Sequence, residues 1–358
     1  MIDDGLRLSL YLGERDRAGR RFLADAVLDA FARHEVAASV LLRGALGFGA
    51  KQRLRSDRLL TLSEDLPVTA IAVDRRDRIA ALAEEVEPLI GSGLVTVERT
   101  RIVRGPAVDP ALPDDLREAT KLTVYLGRRE RVGGRPAFVA ACALLHARGV
   151  DGATVLLGVD GTVRGRRARA RFVGRNADVP LVLIAVGTGE RIAAAVPELR
   201  ALLHDPLITL ERVRTVKRDG VRLADPPPLP ERDREGLALW RRLTVHGSER
   251  TTVDGHPAHA AIVRGLRQAG GAGATTVRGL WGFHGDHPPH GDRLLQLRRG
   301  VPTVTTVVDT PARIAEALTV VDRLTPARGL VTVETVPALV AWADGERRGG
   351  LRLATDRS

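Results

Sequence analysis

The sequence predicts an α+β protein of three ferredoxin-like βαββαβ repeats, packed as an intramolecular pseudo-trimer with sheets inward and helices outward. Three observations predict it. The opening strand pattern occurs three times: LSLYLG from Leu8, LTVYLG from Leu122 and LTVHGS from Leu243, with starts 114 and 121 residues apart. Each copy closes on a matching strand, LVTVERTRIV from Leu94, LITLERVRTV from Leu207 and LVTVETVPAL from Leu330. A period of that length repeats a whole small domain and points to closed assembly of the copies. Finally, Leu181 to Val186 reads LVLIAV, apolar at every position. A strand wetted on one face alternates, so this one is covered on both, by its own helices and by the other copies.

The first copy justifies each element in order. Leu8 to Leu12 alternates as a strand. Phe22, Ala26, Val27, Ala30 and Phe31 recur at helical spacing, which predicts a helix over Phe22 to His34. Ser39 to Leu42 is a second strand, followed by a loop rich in Gly and Arg from Gly44 to Arg58. Val68 to Val73 is a third strand, Ile79 to Ile90 a second helix despite Pro88, and Leu94 to Val103 a fourth strand after the turn Gly91-Ser92-Gly93. The order is that of a split βαβ unit. The copies occupy 1–103, 122–214 and 243–340. Linkers run over 104–121 and 215–242, with a tail at 341–358. The linkers are proline-rich (Pro106, Pro110, Pro113; Pro226 to Pro230) and so extended and stiff. A short helix is expected over Glu231 to Arg242.

Composition bounds function. The 358 residues carry a net charge of +11, nearly all arginine, since lysine stands only at 51, 121 and 217. Such a charge attracts phosphates, acidic proteins or anionic surfaces. Cys142 is the sole cysteine, which excludes an internal disulfide framework and fits a reducing compartment. No apolar leader follows Met1, so a cytoplasmic protein is expected. No P-loop, nucleophile elbow or Cys–His pair is visible, so no enzyme is expected.

Arg43-Gly44 followed by Gly47-Phe48-Gly49 is the strongest constellation. Glycines let backbone N–H groups approach a phosphate, Arg43 can grip it bidentately, and Phe48 can pack on a base. The plainer alternative is that the glycines shape a strand exit and Phe48 fills core. The third copy repeats the set as Arg278, Gly279, Gly282 and Phe283, whereas the second has Leu157 and Gly161-Thr162 there. Two competent clefts at most are therefore expected. Glu64 and Asp65 precede the third strand and either orient a ribose or a cleft arginine or, the plainer alternative, form a turn that starts the strand with Pro67 at its edge. The tract HGDHPPHGD supplies His284, His287 and His290 as candidate ligands for zinc, nickel or copper, but their spacing matches no tight structural site and two prolines keep the loop open, so no resident metal is expected.

The motifs VLLRGALGFG (Val40 to Gly49), LLTLSEDLPV (Leu59 to Val68) and GLVTVE (Gly93 to Glu98), with counterparts VRGLWGF, DRLLQL and LVTVE in the third copy, resemble the PII-like family of unknown function, relatives of nitrogen-regulatory PII signalling proteins. The second copy diverges most. The resemblance implies ferredoxin-like subunits assembled in threes, here within one chain acting as a monomer. It implies an adenine nucleotide or similar small anion bound in clefts between copies, with Gly93 at the nucleotide-contacting turn. No resident cofactor is required. It further implies signalling through the long loops, basic here (Lys51, Arg53, Arg55, Arg58; Arg164, Arg166, Arg167, Arg169, Arg171), to a membrane transporter, channel or enzyme. Few aromatics interleave with the arginines, so nucleic-acid recognition by stacking is not expected.

Overall fold

A computed structural model describes residues 2–49, 52–57, 65–104, 112–163, 166–167, 179–285, 287–291, 300–343 and 346–355. In the first copy, β1 (Ile2–Gly13), α1 (Leu23–Arg33), β2 (Ala38–Arg43), β3 (Leu46–Phe48), β4 (Pro67–Arg75), α2 (Arg76–Val86) and β5 (Gly93–Val103) follow in order. The second supplies β6 (Thr120–Gly127), α3 (Ala137–Ala147), β7 (Gly152–Val163), β8 (Pro180–Gly187), α4 (Gly189–Leu202), β9 (Leu207–Arg212) and β10 (Arg214–Arg218). The third supplies β11 (Trp240–Ser248), α5 (Ala258–Gln268), β12 (Ala274–His284), β13 (Pro302–Asp309), α6 (Pro311–Leu324), β14 (Leu330–Val336), β15 (Ala338–Ala343) and β16 (Glu346–Gly350). Short two-residue strands decorate these.

The expectation of three ferredoxin-like repeats, each with its own four-stranded sheet and packed as a pseudo-trimer, is corrected. The strands close instead into an antiparallel eight-stranded barrel, β2-β4-β1-β5-β9-β6-β8-β7 and back to β2. Further strands extend from it, so that all the long strands share one hydrogen-bonded sheet. The physical reason is at the edges. Separate sheets would leave rows of unpaired N–H and C=O groups, and here each edge is carried across to the next copy. β7 shows how. Gly152 to Leu157 pairs with β8, and beyond the register shift at Gly158/Asp160 its second half pairs with β2 of the first copy. In the same way β12 reaches β7 through Gly279 to His284, and β3 reaches β12 at Ala274 to Thr276. β15 closes on β5 at Gly93 to Val97, and β10 on β14.

The stretch read as a loop from Gly44 to Arg58 is therefore strand in part, at Leu46–Phe48 and Arg55–Ser56. The helix expected over Glu231 to Arg242 is absent. Asp233 caps a turn there, accepting from the Glu235 and Leu237 N–H groups at 2.9 Å each, and strand begins at Trp240. α2 stops at Val86 and passes into a 3-10 turn over Glu87–Leu89, where Pro88 cannot continue an α-helix. No helix among the described residues is long and apolar enough to cross a membrane.

Among the described residues, three aliphatic cores lie between helices and strands, and a fourth, larger than two small clusters beside it, lies between strands alone. The fourth gathers Val40, Ile71 and Ile102 with Tyr125, Leu156 and Val182 and with Val277 and Val304. The crossing arms also feed their neighbours. Leu46 and Phe48 of the first copy join the core of the third, and Phe283 of the third joins the core of the second.

Candidate functional site

The strand crossings explain most of the Gly-rich motif. A Cβ on Gly44 would lie 2.6 Å from Pro67 Cγ, on Gly158 2.9 Å from Pro180 Cγ, and on Gly279 2.8 Å from Pro302 Cγ. Three residues further along each arm, a Cβ on Gly47, Gly161 or Gly282 would lie 2.5, 2.3 or 2.4 Å from a backbone oxygen of the facing strand. These glycines are occupied in bringing one backbone against another, at matching places in all three copies. Gly93, with φ +112°, does the same beside the Tyr11 carbonyl. Phe48 and Phe283 are buried core residues, the latter edge-on to His146 at 5.0 Å between ring centroids. No base can stack on either. Of the glycines in the two arginine-bearing motifs, only Gly49 has open space around it.

The arginines behave differently. Arg43, at the end of β2, holds Glu14 in a two-point pair, Nη2 to Oε2 and Nε to Oε1, both at 3.0 Å. Its side chain is 51% exposed, so the pair is open to competition. Arg278 stands at the matching place in β12. It binds Glu249 through Nε and, through Nη1, Asp57 at the end of the first copy's loop. Burial works against its charge, but the Glu249 and Asp57 carboxylates outweigh this and raise its pKa. Glu14 and Glu249 are themselves equivalent. The N–H of each donates to a carbonyl just before or at the next long strand, Leu66 at 2.8 Å and Val301 at 3.0 Å. The second copy puts Arg128 in that place, its N–H donating to the Val179 carbonyl at 3.2 Å, and Leu157 in the arginine's place.

Asp65 accepts from the Arg15 N–H at 2.7 Å and pairs with Arg55 Nη2 at 2.7 Å. It thus ties the loop's return to the end of β1, a few residues from Glu14. Glu64 lies outside the described residues, as do Lys51, Arg58, Arg164, Arg169 and Arg171. Arg43, Asp65 and Arg55 therefore gather at one lip, and Arg278, Glu249 and Asp57 at another. Sequence reading missed Glu14, Glu249 and Asp57, the partners of the two arginines. The signal for two of them was present, since a Glu follows the first strand in copies one and three but not two.

A second charged cluster is buried between the copies. Arg7, Lys121 and Arg242 occupy one position in the repeat, and Glu98, Glu211 and Glu334 another. Arg242 Nη2 donates to Glu98 Oε1 at 2.6 Å, Lys121 Nζ binds Glu334, and Lys121 Nζ lies 3.6 Å from Glu211 Oε2. Thr96 and Thr100 hydroxyls donate to Glu98 at 2.6 Å and Glu211 at 2.9 Å. Burial raises the Glu98 carboxyl, but Arg242 and Arg7 outweigh it and hold it down at about 2. Burial also pushes His246 down to about 4. Ion pairs thus join the third copy to the first and the second to the third, and the Thr100 hydroxyl on Glu211 joins the first to the second.

His284, His287 and His290 come together at the end of β12, with ring centroids 5.7 and 6.4 Å from His284. Among the described residues, no three His, Cys, Asp or Glu side chains already stand at coordination spacing.

The model of the DUF190 family, described as uncharacterized ACR, matches residues 5–102, 119–215 and 240–338, three times across the chain. Among solved structures, the chain is similar to the crystal structure of aspartate kinase from Synechocystis, at 11% identity and a TM-score of 0.23. That match covers 96% of this chain and 46% of the kinase, so the chain spans under half of that protein's length. A likeness of that score fixes neither fold nor activity.

Proposed function

The chain belongs to the DUF190 family, and from that premise we propose that it is a non-catalytic, PII-like regulatory protein. It binds an adenine nucleotide or a similarly charged small anion at the lips carrying Arg43 and Arg278, and passes that occupancy to a partner through the loop between β3 and β4. The observation that carries the reading is the Arg278 grip. One guanidinium holds a carboxylate of its own copy, Glu249, and one of the first copy's loop, Asp57. A phosphate offers the same bidentate geometry as a carboxylate with more charge. An anion arriving at Arg278 displaces Asp57 and removes one of the loop's ties to the third copy, the Gln52 Nε2 bond to the Gly271 carbonyl remaining. The loop then has two states that bind the anion with different affinity, which is the condition for signalling. Arg43 and Glu14 form the second, simpler lip. Half-exposed ion pairs of this kind hold only about 0–1 kcal/mol, so exchange costs little. The partner is a membrane transporter, a channel or an enzyme that docks on the loop.

A thermal-shift panel of AMP, ADP, ATP and cyclic nucleotides tests this. A ligand at about 100 times its Kd stabilises by about 2.7 kcal/mol. The expected result is a response in the native chain that Arg43→Ala with Arg278→Ala removes. Silence across the panel, or a response untouched by the double substitution, leaves an interaction scaffold without an effector.

A further inference from the structure

We propose that His284, His287 and His290, with Asp219, form a site for a borderline divalent transition metal, in the class of zinc, nickel or copper. This site is separate from the arginine lips. It sits where the end of β12 meets the hairpin that follows β10, at the seam between second and third copies. Four features place it there.

His284 is fixed and buried, and its Nδ1 has no hydrogen-bond partner. A buried ring nitrogen without a partner forfeits desolvation free energy unless something binds it. Asp219 Oδ1 lies 3.9 Å from that nitrogen, too far for a hydrogen bond and about half an ångström wider than the span between two ligands of one tetrahedral ion, a gap that a small side-chain movement closes. The Asp219 carboxylate is oriented from behind, since the Gly329 N–H donates to Oδ1 at 3.4 Å and the Asp219 N–H donates to the Gly329 carbonyl at 2.8 Å. Support of a ligating carboxylate by a backbone N–H is the usual arrangement around metals.

Gly285 makes room for this. Its φ is +58°, and a Cβ there would lie 2.5 Å from Asp219 Oδ2. Any larger residue after His284 pushes the carboxylate away from the imidazole. The remaining ligands come from the same turn. His287 is exposed and His290 half-buried, and both rings already meet His284 edge-on. His290 Nδ1 lies 3.1 Å from the Pro288 carbonyl. Donation there places the proton on Nδ1 and leaves the Nε2 lone pair free to ligate. Zinc takes three imidazoles and one carboxylate at tetrahedral distances of about 2.0–2.2 Å, and metal binding requires His287 and His290 to turn about their side-chain torsions toward His284 and Asp219.

The ligand set selects the metal. Imidazoles suit zinc, copper and nickel, while magnesium and calcium require oxygen shells. Arg328 adds a positive charge near His284.

Equilibrium dialysis of the full chain against zinc, and the visible absorption of the cobalt(II) form, test the site. One metal per chain is expected, with a cobalt spectrum of tetrahedral intensity and no retention of magnesium. His287→Ala and His290→Ala change exposed or half-exposed side chains and leave the fold intact. Each is expected to weaken zinc at least 10-fold, and Asp219→Asn to weaken it and alter the cobalt spectrum. Absence of zinc and cobalt binding in the native chain overturns the proposal. So does zinc binding that the combined His287→Ala and His290→Ala chain retains in full, or magnesium held as tightly as zinc.

Discussion

The second copy's lip and the lips of the first and third share a backbone and differ in chemistry. All three carry the crossing glycines, Gly44, Gly158 and Gly279 against Pro67, Pro180 and Pro302. Only the first and third carry the arginine and its glutamate, Arg43 with Glu14 and Arg278 with Glu249. The second has Leu157, packed against its own core, and Arg128. The difference separates two requirements that lie within a few residues of each other. Closing the sheet needs glycine at every crossing. Gripping an anion needs arginine, and one copy dispenses with it.

The largest effects test the structural half of that contrast. Phe48→Ala empties a site in the third copy's core from a residue of the first, and is expected to cost about 3–5 kcal/mol by chemical denaturation. Phe283→Ala does the same to the second copy's core. A loss below about 1 kcal/mol contradicts the crossing of the arms. Next, Gly47→Ala and Gly282→Ala force a methyl against a backbone oxygen. Each is expected to cost about 1–3 kcal/mol, while Gly49→Ala, with nothing within 4 Å, stays within about 0.5 kcal/mol. Equal costs at Gly47 and Gly49 dissolve the distinction.

Acid probes the buried charges between the copies. The Glu98 carboxyl is held at about 2, below its unfolded value, so its stabilisation is full above about pH 5 and is lost as pH falls toward 2. His246 is held neutral to about 4, so the unfolded chain takes up its proton first, between about pH 6.5 and 4. Both signs agree. Stability falls on acidification below about pH 6.5, by about 3 kcal/mol for each group over its window. A flat denaturation profile between pH 7 and 4 removes His246 from the account.

The sequence showed the periodicity, the helix and strand order within each copy, and the loss of arginine in the second. It did not show the strand closure. VLLRGALGFG reads as a strand running into a flexible loop because its glycines carry no pattern, and the partner that uses them, Thr275 with its neighbours, lies more than 200 residues away. For the same reason Phe48 looked available to a ligand while it fills another copy's core. Asp57 was invisible as a site residue because its arginine, Arg278, is remote in sequence. The central charges were legible only in retrospect, since Arg7, Lys121 and Arg242 align across the copies but single charges inside strands are ordinarily solvated.

Smaller in stability but sharper in function is the reconstruction of the missing lip. Arg128→Glu with Leu157→Arg rebuilds in the second copy what the other two hold. It is expected to raise anion stoichiometry by one per chain at a cost of about 1 kcal/mol in stability. No added site implies that the arginine is not the anion's binding group.

Titration calorimetry with the nucleotide that gives the largest thermal response tests the central claim most directly. The account predicts two sites per native chain, one after Arg43→Ala alone or Arg278→Ala alone, and none when both are changed. Three sites in the native chain, or an isotherm that the double substitution leaves unaltered, contradicts it.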